Sequence, residues 1–243
     1  MSDKEKDGTA VEQIDLHNPS YYINRELSTI EFNRRVLLEA FNEKTPLLER
    51  VKFMAIHSNN MDEFFMVRVS GIKQQVLMGI SDTPPDGLTP REQLVTIHRM
   101  VASLMEQQMA HWQEVIHPAL ADQGIRVIGY DSLKKRQKRK LADYFENEIF
   151  PVLTPLAFDP GHPFPHISNL SLNLAVVIRD PKDGETHFAR VKVPNTMPRL
   201  VLLNPLDPED FELTPAEHKF VWVEQVIVDN LDRLFPGMEI VAA

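Results

Sequence analysis

From Leu27 to about residue 120, apolar side chains return every three or four positions, whereas from Ser171 onward they return every second one. The first spacing belongs to helices buried along one face, the second to a half-buried strand. The chain therefore reads as α+β, with a helical bundle over residues 21–124 and a mixed α and β region over 125–243. No internal repeat is visible, and residues 1–20 read as a polar, disordered tail.

Helix ends are marked by cap signals. Ser28 to Glu31 fits a capping box, with Ser28 at the cap and Leu27 and Phe32 placed for a hydrophobic staple. Ile30, Val36, Leu37, Ala40 and Phe41 supply the stripe of that helix. Thr45-Pro46 opens a second one, with proline at its first position. Ser58-Asn59-Asn60 breaks the pattern, which predicts a third helix over about 61–78. Gly79 to Leu88 is a loop by its glycines and prolines. Thr89-Pro90-Arg91-Glu92 then starts a long helix whose stripe runs from Leu94 to Val115. Met100, Met105 and Met109 lie beside that stripe, as core or as interface, core being the default.

After Gly124 the character changes. Ile125–Ile128 is a short strand, and Asp131 or Ser132 caps a helix whose inner face is Leu133, Leu141, Phe145 and Ile149. Leu172, Leu174, Val176 and Ile178 alternate as a strand, Asp180–Gly184 is a turn, and His187–Val193 is the hairpin partner. Two more strands, Arg199–Leu203 and Lys219–Val223, precede a helix that stops at Pro236-Gly237. The last residues, Ile240–Ala243, read as a strand beginning, so the second region is expected to be incomplete.

Composition narrows the function classes. With 35 acidic against 26 basic residues the net charge is −9, which disfavours nucleic acid as a partner. The chain has no cysteine, so disulfides, thiolate metal sites and thiol nucleophiles are excluded. That suits a cytoplasmic protein, one that could still associate peripherally with a membrane. The first residues lack the apolar core of a signal peptide, and no apolar run approaches the ~18 residues of a membrane span, so no transmembrane segment is expected.

Two long stretches carry a family likeness. One runs from Asn24-Arg25-Glu26-Leu27-Ser28 through Glu31–Leu37 and Pro46–Phe53 to Ser58-Asn59-Asn60-Met61-Asp62-Glu63-Phe64-Phe65-Met66-Val67-Arg68-Val69. The other runs from Leu153-Thr154-Pro155-Leu156-Ala157 through Asp159–Pro165 to Ser168–Leu174. Together they resemble the long-chain, phosphohistidine-type polyphosphate kinase family, over nearly all of residues 21–241. Thr29 departs from the pattern, since the family usually has tryptophan there.

The resemblance implies a helical amino-terminal domain followed by part of an α+β head domain that forms a homodimer. It implies ATP and polyphosphate as substrates, with magnesium. It places the phosphorylated histidine, the magnesium ligands and the phosphate tunnel beyond residue 243, so no catalytic or metal residue is expected within this chain. A non-catalytic binding or oligomerisation module, or a truncated gene product, is the alternative.

Asn60 is the leading site residue. A side-chain amide offers a donor and an acceptor and can read an adenine edge bidentately, and the resemblance puts the ATP contact on it, with Asn59 and Ser58 as weaker candidates. On the residues alone, Asn60 would instead cap the next helix. Asp62 and Glu63 are adjacent carboxylates that point about 100° apart on a helix, which suits a helix N-terminus better than one metal ion. Lys134–Arg136 and Lys138–Lys140 form the one dense basic run, a solvated face or an anion site. His57 lies beside the Ser-Asn-Asn segment, and His162 and His166 are separated by prolines that break any helical alignment.

Overall fold

The computed structural model describes residues 15–157, 166–203 and 217–243. It divides into two compact units, one ending at Trp112 and the other starting at Gln113.

The first unit is helical. Its elements are α1 (Arg25–Phe41), α2 (Leu47–Phe64), α3 (Ser70–Leu77) and α4 (Pro90–His111). Asn24 caps α1, its side-chain oxygen accepting from the Glu26 and Leu27 amides at 3.0 and 3.1 Å. The helix thus starts one turn before the Ser28 box. Ser28 lies inside it, Glu31 turns to Arg34 at 2.7 Å, and Phe32 is exposed, so no staple forms. The predicted box at Thr89 does form: Thr89 Oγ1 accepts from the Glu92 amide, and Glu92 Oε2 accepts from the Thr89 amide.

The expected break at Ser58-Asn59-Asn60 is absent. α2 runs straight through, with Pro46 at its cap, and passes by a π-turn, Phe65–Val69, into α3. Serine and asparagine interrupt helices when their side chains compete for the local backbone. Here Ser58 Oγ accepts from Gln108 on α4 and Asn60 donates to Asn33 on α1, so neither competes. The buried faces are Ile30, Leu37 and Ala40 on α1, Met54, Met61 and Phe64 on α2, and Ile97, Val101 and Leu104 on α4. Met105 and Met109 lie off that face, 61% and 56% exposed, which corrects their placement in the core.

The second unit contains α5 (His117–Asp122), β1 (Ile125–Val127), α6 (Lys135–Tyr144), β2 (Pro155–Ala157), β3 (Asn173–Arg179) and β4 (Thr186–Lys192). It continues with β5 (Leu200–Leu202), β6 (His218–Trp222), α7 (Val223–Val228), α8 (Leu231–Leu234) and β7 (Glu239–Ala242). One sheet has the order β1-β6-β5, with β1 and β6 parallel; the other is antiparallel in the order β2-β4-β3-β7. The β3–β4 hairpin pairs Asn173 with Lys192 and Arg179 with Thr186. Its turn ends on Gly184 at φ 76°, a conformation that favours glycine.

Alternate residues of the hairpin, Val176, Ile178, Ala189 and Val191, face a core shared with Leu141, Phe145 and Ile149. α6 is not capped by Asp131 or Ser132. Those residues form a short 3-10 turn, and the helix starts after Lys134, whose amide donates to Gln137 Oε1 at 3.0 Å. The extra residues let Leu133 turn inward before the helix begins.

Candidate functional site

α1 buries one face along Glu26, Ile30, Asn33, Leu37 and Ala40, an unbroken three- and four-residue spacing. Two of those positions are polar. Asn33 is 3% exposed, and an amide so buried needs partners. Its Nδ2 donates to the Thr29 carbonyl at 2.9 Å, and its Oδ1 accepts from Asn60 Nδ2 at 2.8 Å. Asn60 is half-buried on α2 and makes no other side-chain hydrogen bond among the described residues. Its oxygen and its second N–H therefore remain for a ligand. The cap reading of Asn60 falls with the missing helix break, while Asn59 and Ser58 are both exposed.

Three residues before Asn60, His57 is fully buried. Gln108 donates to Ser58 Oγ at 2.8 Å and to the Met54 carbonyl at 3.2 Å, which turns its oxygen to His57 Nδ1 at 2.6 Å. His57 therefore donates from Nδ1, and its buried Nε2 has no partner. His57 is thus a helix-interior residue bound to α4, not a helix end.

Burial lowers the His57 pKa below its ordinary value of 6.5, with the Gln108 hydrogen bond pulling weakly the other way. His111 shifts down as well, through burial first and the Arg50 charge last, against the Ala40 carbonyl. Both rings are easier to protonate in the unfolded chain. Their stabilisation is complete above about 6.5 and is lost as pH falls through the lower folded values. The urea midpoint of the helical unit should therefore drop between pH 7 and 5, and His57→Asn should flatten that slope. An equal slope in the variant would exclude His57 as a source.

At the amino-terminal end of α1, Glu26 is buried and its Oε1 lies 2.6 Å from Arg25 and 3.7 Å from Arg68, while Oε2 has no partner. Arg68 thus turns to α1. Asp62 and Glu63 are both exposed. No group of three or more histidine or carboxylate side chains among the described residues could hold a metal ion. His162 lies outside the described residues.

In the second unit, the basic run occupies α6 and the residue before it. Lys138 lies 4.8 Å over the Tyr130 ring, and Lys134, Arg136 and Lys140 each have a partner. A cleft of about 330 Å³ is lined by Val152, Thr154, Lys192, Pro194, Asn195 and Thr196. Its one charged group, Lys192, donates to Ser168 Oγ at 3.0 Å. No described helix is long and apolar enough to cross a membrane.

Sequence reasoning singled out Asn60 but not its partner Asn33, nor Gln108 or the Glu26–Arg68 pair. The signal for Asn33 was present: an asparagine occupying an apolar position of the α1 stripe.

The fold and the amide pair define a helical unit with an open polar contact, followed by an α+β unit. The family described as polyphosphate kinase N-terminal domain matches residues 22–128, and that of the polyphosphate kinase middle domain matches residues 136–243. The chain belongs to the polyphosphate kinase family. It is 51% identical over 234 residues to a polyphosphate kinase of Thermosynechococcus vestitus, covering 96% of this chain and 31% of that protein. It is 50% identical over 220 residues to one of Mycobacterium marinum, covering 90% of this chain and 30% of that protein. The crystal structure of polyphosphate kinase from Porphyromonas gingivalis superposes with a TM-score of 0.75 at 30% identity, covering 90% of this chain and 31% of that one. The chain thus spans about a third of the length of the relatives it matches.

Proposed function

We propose that this chain is the part of a cytoplasmic polyphosphate kinase that helps grip ATP and build a homodimer. The parent activity is reversible transfer of the terminal phosphate of ATP to polyphosphate through a phosphohistidine, with magnesium. Residues 21–124 form the domain that contributes Asn60 to the nucleotide, and 125–243 belong to the head domain that forms the dimer. The observation that carries the nucleotide reading is the half-buried Asn60 amide, fixed from behind by Asn33 and open in front. An oxygen beside an N–H matches the N6 donor and the neighbouring ring-nitrogen acceptor of adenine.

In the protein as its host makes it, Asn60→Ala should raise the KM for ATP about tenfold, the loss of one or two net hydrogen bonds. The variant should still fold. An unchanged KM would overturn the nucleotide role.

The phosphorylated histidine and the magnesium ligands lie outside these 243 residues in this reading. Purified alone, the 243-residue chain should make no polyphosphate from ATP. Measurable turnover would sink that part of the proposal.

A further inference from the structure

We infer that Asn33 is the positioning residue that makes Asn60 selective for adenine over 6-oxopurines. The inference rests on the nucleotide reading of Asn60 and goes one residue behind it. An amide that is free to rotate by 180° exchanges its donor and acceptor, so it serves adenine and hypoxanthine equally well. Adenine presents a donor at position 6 beside an acceptor at N1; hypoxanthine presents an acceptor at position 6 beside an N1–H donor. Selectivity needs something that forbids the rotation.

The structure supplies it in two links. The Thr29 carbonyl can only accept, so the nitrogen of Asn33 must face it, as it does at 2.9 Å. That turns Asn33 Oδ1 toward α2, and an oxygen there demands an N–H from Asn60, which lies 2.8 Å away. Rotating Asn60 would oppose two oxygens. Rotating Asn33 to relieve them would oppose its oxygen to the Thr29 carbonyl. Asn33 is 3% exposed, so water cannot readily substitute for either partner. Asn60 is thereby held with its oxygen available to a donor, as adenine N6 requires. The anchor is a main-chain carbonyl of α1, so the side chain at position 29 does not enter the relay.

The test measures KM for ATP and for inosine triphosphate in the protein as its host makes it. The wild type should prefer ATP. Asn33→Ala releases Asn60, and the preference should fall about tenfold, through improved use of inosine triphosphate as well as weaker use of ATP. Asn33→Asp should keep the preference in its neutral form, which burial favours: its hydroxyl donates to the Thr29 carbonyl and its other oxygen still demands the Asn60 N–H. Melting temperatures of both variants report whether the fold survives. A purely structural role would weaken both nucleotides alike and would not be rescued by aspartate. If Asn60→Ala weakens ATP while Asn33→Ala leaves the ATP to inosine triphosphate ratio unchanged, the relay is wrong and the nucleotide reading stands. If Asn60→Ala changes neither nucleotide, the nucleotide reading itself falls and the relay with it.

Discussion

Truncating Phe145 to alanine is expected to cost the second unit about 3–5 kcal/mol, the usual range for removing a buried aromatic ring. Phe145 is 0% exposed and sits where α6 passes into the π-turn Phe145–Ile149. The ring lies in the same core as Leu141 and Ile149 and the inner residues of the β3–β4 hairpin. Its neighbours are fixed in a helix and a paired sheet, so they cannot collapse into the space it leaves, and the cavity persists. Urea unfolding of the variant measures the cost. The neighbouring Phe150, whose ring centroid lies 6.1 Å away, is 37% exposed and provides the control. Phe150→Ala should cost much less. Equal losses at the two positions would mean that Phe145 is not at the centre of this core.

Arg50→Ala should destabilise the helical unit by roughly 2–3 kcal/mol, more than an exposed arginine would. Arg50 is 8% exposed, and its Nε donates to the Ala40 carbonyl at 2.7 Å. Ala40 is in the last turn of α1, where carbonyls lack partners within the helix. Arg50 therefore closes the end of one helix from the first turn of the next. Its Nη2 also lies 3.1 Å from His111 Nε2 on α4, so a single side chain ties three helices. Arg50→Met keeps the aliphatic stem and should recover part of the packing without the hydrogen bonds. A loss below about 0.5 kcal/mol for the alanine variant, within the range of ordinary surface substitutions, would show that the guanidinium is dispensable.

The sequence made some of this legible for identifiable reasons. The Thr89–Glu92 box was readable because both of its bonds are local, and the β3–β4 hairpin because its alternation and its turn lie in one short segment. Asn60 came from a family resemblance, and its geometry did not. Nothing local says that Asn60 will find Asn33, which is 27 positions earlier in the chain. The same tertiary partner explains why the helix break predicted at Asn60 does not occur. Ser28 misled for the opposite reason: Asn24, one turn earlier, offers an equally good cap and also reaches Asp86 at 3.2 Å, so the earlier start wins. The parallel pairing of β1 with β6 was out of reach, since neither strand carries a signal naming its partner.

That pairing has a consequence for the order in which the chain can acquire structure. β1 at Ile125 must wait for β6 at His218 before its hydrogen bonds have partners, and closing so long a loop is slow. The helical unit has no such dependence, because every element it packs is complete by His111. During synthesis from the amino terminus, Asn33 and Asn60 can meet while β6 is still untranslated. The ribosome would then release a finished amide pair ahead of a sheet still lacking its central strand, and the unpaired edge of β1 is where a stalled chain would be most exposed to mispairing.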